Sequence, residues 1–431
     1  MHSLRVLTAL AAAALLGCHT FHIERRVPAS GLLANQTGVD RAVPLSPRTY
    51  ERVPLLTMER ETARLCLEAT GVEMPPSIVF AVGDDQGIIL ERAFGFSRLE
   101  GGRPQPATLE TMYDLASLTK VIATTTAIMQ LVDRGLVDLD APVVRYLPEY
   151  ANHGKEAITV RQCLTHTAGF HPFYRLWEIV DTPEEARAHI ENCELDSTPG
   201  TRYVYSDVGF LTLGWIVERV TGQPLDAYCQ QSIWTPLGMT STMFNPPETL
   251  RPVCAATEND QALGRGVVQG QVHDENAAFL GGVAGHAGLF STASDLSRFA
   301  IMILRGGEMR GRRVLSEESV REMTRAQITL PDTDGDLTAR ALGWWSHATP
   351  AYESTMGGQG FSASAFGHTG YTGPAIQIDP ERRLFAVFLC NRLHARQSQA
   401  QMSAEDWRAD TFRRMRPVRA EFFNIVSREI R

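Results

Sequence analysis

The sequence predicts an α+β fold, broadly of the α/β class. One antiparallel sheet is assembled from the N- and C-terminal parts of the chain and flanked by helices, with a helical insertion between. Three observations predict it. Strand signals stand near residues 77–94 and return only near 342–389. The segment between them is dominated by helical signals and Gly- and Pro-bearing loops. Within that segment, a helix predicted from Ser117 to Arg134 carries an uncharged run from Val121 to Val132, as central buried helices do. Strands at both ends with helices between imply a cleft where the sheet meets the insertion.

Taken in order, the elements begin with an address. Arg5 precedes an apolar stretch from Val6 to Gly17, and Cys18 follows Leu15-Leu16-Gly17. At ~1.5 Å per residue this run is too short for ~30 Å of hydrocarbon, but it suits a signal-peptide core. The Leu-x-Gly-Cys ending resembles a bacterial lipobox, which implies a lipidated Cys18 as the mature N-terminus. Secretion without lipidation and an uncleaved apolar tail are the alternatives. Residues 19–50 carry Pro, Ser, Asn and Arg without apolar periodicity and read as a tether.

The remainder, 51–431, reads as the functional domain. A helix is predicted over Leu55 to Ala69. Ser77-Ile-Val-Phe-Ala-Val and Gly87-Ile-Ile-Leu-Glu-Arg-Ala-Phe, joined by Asp84-Asp-Gln-Gly87, form a hairpin. Helices follow near 117–134, 183–192, 208–221, 224–232 and 294–305. Strands follow at Leu342 to His347, Ala375 to Ile378 and Leu384 to Leu389, and an amphipathic helix at Ala404 to Arg428. The sheet part is therefore placed at about 55–110 and 340–431, the helical part at about 111–339.

Composition narrows the function. A net charge of -8 argues against a phosphate-binding surface, hence against nucleic acid as a partner. No C-x-x-C, H-E-x-x-H or G-x-x-x-x-G-K-[ST] occurs, which weakens zinc and nucleotide readings. Besides Cys18 there are Cys66, Cys163, Cys193, Cys229, Cys254 and Cys390, scattered without a framework and read as buried free thiols.

The chemistry concentrates at Ser117-Leu-Thr-Lys120. At i and i+3 on a helix the two side chains share a face. Ser117 would lie at the helix N-terminus, where free N–H groups favour negative charge. Of 41 Lys plus Arg residues only Lys120 and Lys155 are lysines. Arg holds its proton near neutral pH, whereas a desolvated Lys can release it and act as a base.

With these residues stand Val143-Val-Arg-Tyr-Leu-Pro-Glu149, Leu164-Thr-His-Thr-Ala-Gly169, Pro199-Gly200-Thr-Arg-Tyr-Val-Tyr205-Ser206-Asp207 and His368-Thr369-Gly370. Together they resemble the serine β-lactamase-related family, which includes class C β-lactamases, low-molecular-weight penicillin-binding proteins and esterases. The likeness covers about residues 55–395, with the S-x-x-K, Y-x-N and K-T-G motifs in family order. The 273–290 stretch (His273-Asp-Glu-Asn276 and Gly281-Gly-Val-Ala-Gly285-His286-Ala-Gly-Leu-Phe290) is similar to the penicillin-binding protein 4B branch. It reads as a loop rimming the cleft rather than a metal site.

The resemblance implies a β-lactamase/transpeptidase-like fold with Ser117 as nucleophile, Lys120 as base and Tyr205 as their partner. Tyr203, two residues earlier, competes for the last role. Asp207 stands where the family commonly has Asn, and is assigned to substrate binding without the amide donor. His368, Thr369 and Gly370 would line the substrate strand, and the Tyr371 N–H would complete an oxyanion hole with that of Ser117. His368 replaces a permanent cation by a titratable one, suited to a protonation-dependent grip on substrate carboxylates.

These residues imply an exported serine hydrolase, periplasmic and lipid-anchored, without metal or cofactor. Its substrates would be D-alanyl peptides, β-lactams or small esters. The alternative is a penicillin- or peptidoglycan-binding pseudoenzyme serving as sensor or scaffold. Oligomeric state is left open.

Overall fold

The computed structural model describes residues 27–28, 52–70, 75–99, 103–260, 263–332, 335–349, 352, 356–394 and 403–430. The leader, Cys18 and most of the tether lie outside them. Among the described residues no helix is long and apolar enough to cross a membrane.

The sheet strands, in chain order, are β1 (Val27–Pro28), β2 (Ser77–Asp84), β3 (Gly87–Arg98), β4 (Ile328–Pro331), β5 (Leu337–Arg340), β6 (Trp345–Ser346), β7 (Phe366–Thr369), β8 (Ala375–Asp379) and β9 (Leu384–Cys390). Their order across the sheet is β1-β3-β2-β9-β8-β7-β6-β5-β4, antiparallel throughout. The join is β2 against β9, with Val82 opposite Ala386 and Phe80 opposite Phe388. The sheet is thus built from both ends of the chain, as expected.

Alternation along these strands separates two cores. In β2, Ile78, Phe80 and Val82 face one side and pack with Phe422 and Phe423; Val79 and Ala81 face the other, with Leu118 and Ile122. On the first side lie helices α1 (Arg52–Ala69) and α5 (Ala404–Glu429), which pack on each other. On the second lie α4 (Ala293–Leu304) and the insertion with α2 (Thr126–Asp133) and α3 (Asp207–Thr221). A sheet covered on both faces explains the unbroken burial of β2, β8 and β9.

Three details differ from the sequence reading. The 117–134 helix is composite: a 3-10 turn at Ala116–Leu118, a π-helical stretch at Lys120–Thr125, then α2. The insertion carries small sheets, including Ala256–Asp260 with Gly266–Gln269, and Tyr113–Asp114 with Leu289–Ser291 and Met243–Phe244. Strands β4 and β5 are too short and polar to announce themselves, and the 342–347 strand shrinks to β6. All six cysteines from Cys66 to Cys390 are buried free thiols.

Candidate active site

The Ser117 turn is held from three sides. Asp114 is buried; its carboxylate accepts from the Ala116 N–H (2.8 Å) and the His273 N–H (2.6 Å). The Leu115 N–H donates to the Leu289 carbonyl at 2.8 Å. The Thr372 hydroxyl donates to the Asp114 carbonyl at 2.7 Å. Ala116 is forced to φ 45°, a left-handed conformation rare for a residue with a side chain, immediately before the serine. Gly370 belongs to the same stitching. A Cβ there would stand 2.3 Å from the Leu115 carbonyl oxygen, so only glycine lets the end of β7 meet the Ser117 turn. That contact sets the end of β7 against the Ser117 turn, while the Tyr371 side chain is 46% exposed.

Lys120 is fully buried, and its Nζ meets three acceptors. It donates to Ser117 Oγ (2.9 Å) and to the His286 carbonyl (3.1 Å), and lies 2.7 Å from Asp207 Oδ1. Three N–H bonds and three acceptors are the arrangement of an ammonium ion. Burial opposes the charge, but Asp207 and then Tyr205 outweigh it and hold the lysine pKa above its ordinary value. The expectation of a neutral Lys120 is therefore corrected: the resting group is a cation. Tyr205 is the tyrosine at this centre, its ring centroid 5.0 Å from Nζ. Tyr203 is buried and turned toward Arg340.

Asp207 opens α3 and points at Lys120. The 273–290 stretch is likewise more than a rim. Asp274 caps the Glu275–Phe279 helix, accepting from the Ala277 N–H at 2.8 Å, and meets His286 Nε2 at 2.9 Å. Burial opposes its charge, but the His286 contact holds the Asp274 carboxyl well below the usual range. Gly285 makes this possible, since a Cβ there would meet the Phe210 carbonyl at 2.0 Å. Asp207, Asp274 and His286 are close enough together to ligate a metal ion; in this chain the cation beside Asp207 is Lys120. The Gly-rich pattern was visible in the sequence. Its approach to Lys120 was not.

His368 is corrected as well. Its ring is buried, and burial, then Arg340 and Lys120, push its pKa well below the ordinary value. Nδ1 lies 2.8 Å from the Thr369 carbonyl, which can only accept, so Nδ1 carries the proton of a neutral ring. A neutral buried imidazole is not the titratable anchor that the motif suggested. Two further residues went unassigned from sequence. His166, at φ 57°, stacks on Tyr205 at 4.4 Å, and burial, then Arg340, hold its pKa well below the ordinary value. Arg340, at the end of β5, is fully buried. Lys155 is also buried, bound to Asn152 Oδ1 and the Cys193 carbonyl, away from this centre.

Residues 68–410 match the family model "Beta-lactamase". A Salmonella agona protein named "Putative D-alanyl-D-alanine carboxypeptidase" is 34% identical over 351 residues, 74% of this chain and 79% of that protein. Among solved structures, a penicillin-binding protein homologue from Caulobacter crescentus shares the fold at a TM-score of 0.63 and 23% identity, covering 78% of this chain and 91% of its own. A hydrolase with promiscuous acyltransferase activity does so at 0.64 and 19%, covering 84% and 99%. With the family model spanning most of the sheet and the whole insertion, the chain belongs to the beta-lactamase family and is a serine hydrolase of that fold.

Proposed function

We propose that the enzyme forms an acyl-enzyme on Ser117 and hydrolyses cell-wall D-alanyl peptides, β-lactams or small esters. The 2.9 Å hydrogen bond from Lys120 Nζ to Ser117 Oγ carries the reading. D-alanyl peptides stand first because the Salmonella agona relative bears a carboxypeptidase name.

In this mechanism Ser117 Oγ attacks the carbonyl. Lys120 donates to Oγ and, being charged, cannot also take its proton. The Tyr205 hydroxyl, beside Lys120, relays the proton instead, accepting it from Oγ as it gives its own to the leaving group. The Ser117 and Tyr371 N–H groups stabilise the oxyanion. Collapse of the tetrahedral intermediate expels the leaving group, which regains the proton, and water then releases the acid. Thr369 and the main chain of β7 line the substrate, while Gly370 serves the Ser117 turn.

Intact-mass measurement after a fluorophosphonate or a fluorescent penicillin tests this. One adduct on the peptide containing Ser117 is expected. No adduct with either probe would leave a binding pseudoenzyme as the better account. Export and a lipid anchor at Cys18 belong to the same proposal. Detergent-dependent recovery from membranes, lost in Cys18→Ser, is expected; recovery of the wild-type chain in the soluble periplasmic fraction would refute the anchor.

A further inference from the structure

Arg340 is fully buried, yet only one of its nitrogens has a hydrogen-bond acceptor: Nη2 lies 3.3 Å from the Gly343 carbonyl. Nε and Nη1 have none. Among the described residues no carboxylate pairs with it; what surrounds it is aromatic. Its guanidinium carbon lies 4.2 Å from the Trp345 ring centroid, 5.4 Å from that of Tyr203 and 5.9 Å from that of Tyr205. Ring faces return only part of the cost of desolvating a cation. For a fully buried ion without a counter-charge, the larger part of that cost stays unmet. The pocket is one anion short.

The neighbouring polar groups show the same deficit. His166 Nε2, Tyr203 OH and His368 Nε2 are buried without partners. Their hydrogens follow from the bonds they do make. The Ser206 N–H donates to His166 Nδ1, so the neutral His166 ring carries its proton on Nε2 and offers a donor. His368 keeps its proton on Nδ1 and offers a lone pair. Around Tyr205 there are thus unmet donors on Arg340, His166 and Tyr203, and one unmet imidazole acceptor. The groups are neighbours: the His166 ring is 4.4 Å from Tyr205 and 6.2 Å from Tyr203, and His368 is 6.2 Å from Tyr205.

We infer that Arg340, with His166 and Tyr203, forms a binding site for a single monovalent anion, a carboxylate or a halide, beside Tyr205. A guanidinium whose Nε and Nη1 have no acceptor suits either a carboxylate or a spherical ion. The anion comes either from solution or as the carboxylate of a substrate. In both cases it offsets the positive charge next to the proton-accepting tyrosine, which makes acylation sensitive to occupancy. Binding itself does not depend on the acyl-enzyme reading.

The test uses the whole enzyme in zwitterionic buffer without added salt, with Arg340→Met titrated in parallel to take out the general salt effect. Bromide and formate are titrated by thermal shift and by 81Br line broadening. Saturable binding of one anion is expected, lost in Arg340→Met and weakened about tenfold in Tyr203→Phe, which removes one donor. Because Arg340→Met deletes an uncompensated charge, it should melt no lower than wild type in the salt-free buffer; this separates lost binding from lost folding.

Esters with and without a terminal carboxylate then distinguish the sources. If the substrate supplies the anion, KM for the carboxylate ester rises about tenfold in Arg340→Met and bromide competes with that ester alone. If solution supplies it, bromide changes the turnover of both esters alike. No saturable binding in the wild type, or equal binding in Arg340→Met, overturns the proposal.

Discussion

Asp207 Oδ1 lies 2.7 Å from Lys120 Nζ, so the residue that stands where this family commonly has an amide is the lysine's counter-ion. That one contact reverses the charge expected at the base position. Lys120 is fully buried and would lose its proton readily if it were alone. Asp207 prevents that, with Tyr205 adding to the effect.

Asp207→Asn removes the counter-ion and lowers the pH at which Lys120 loses its proton. If the ammonium is the working form, acylation falls at alkaline pH as Lys120 deprotonates, and the substitution moves that fall to lower pH. If instead neutral Lys120 is the base, acylation rises as Lys120 deprotonates, and the same substitution moves the rise to lower pH. The two mechanisms predict opposite changes near pH 9. We expect the variant to be slower there than the wild type. Acylation rates of a neutral ester between pH 6 and 10 decide it.

Tyr205→Phe should lower acylation by ~10² or more, the usual contribution of a positioned proton acceptor. The ring itself remains stacked on His166, so folding should be little changed. A loss below about fivefold in single-turnover acylation would mean that the Ser117 proton leaves by another route. Lys155→Arg is unsuitable as a control for changes at Lys120, because Lys155 is buried and bonded to a backbone carbonyl.

The sequence carried the local part of this site. Ser117 and Lys120 are three residues apart, and a helical turn suffices to join them. Tyr205 and His368 were placed by motif. Asp274, His286 and Arg340 escaped because their positions depend on closure of distant segments: His286 reaches Lys120 across 166 residues, and Arg340 sits on a four-residue strand with little apolar pattern. The charge state of His368 escaped for the same reason. Its motif fixes where it stands, but the burial and the neighbouring Arg340 that keep it neutral come from β5. The sheet was legible where strands are apolar and long, as in β2 and β9, and illegible where they are short and half-exposed, as in β4.

Gly370→Ala should separate a role in substrate approach from a role in the Ser117 turn. Its Cβ would meet the Leu115 carbonyl at 2.3 Å, so the turn or β7 must shift. Overpacking of this kind costs about 1–3 kcal/mol. We expect a lower Tm together with slowed labelling of Ser117 even by a small fluorophosphonate, which needs little room on β7. Normal labelling by the small probe, with loss only for bulky substrates, would show instead that Gly370 serves substrate approach.

The last expectation concerns acid stability and the tie between the C-terminal helix and the site. Glu258 is buried and accepts from Arg408 of α5 at 3.1 Å, while its other contact is His273 Nε2 at 2.5 Å. His273 in turn donates its N–H to Asp114, below the Ser117 turn. Burial alone would raise the Glu258 pKa, but His273 and Arg408 outweigh it and bring the carboxyl down to about 2 from 4.5. A folded-state value depressed below the unfolded one stabilises the protein above about pH 4.5, and that stability is lost as pH falls through about 2. The shift corresponds to about 3 kcal/mol at neutral pH. Glu258→Gln should therefore lower the unfolding free energy by about that amount at pH 7, with the gap to wild type narrowing steadily below pH 4.5. It should also slow Ser117 labelling at pH 7, because His273 loses the partner that fixes it against the Asp114 loop. Urea unfolding at pH 7 and pH 3 measures the first effect and adduct formation the second. A variant as stable as wild type at pH 7 would show that the His273–Glu258–Arg408 chain holds neither α5 nor the serine turn.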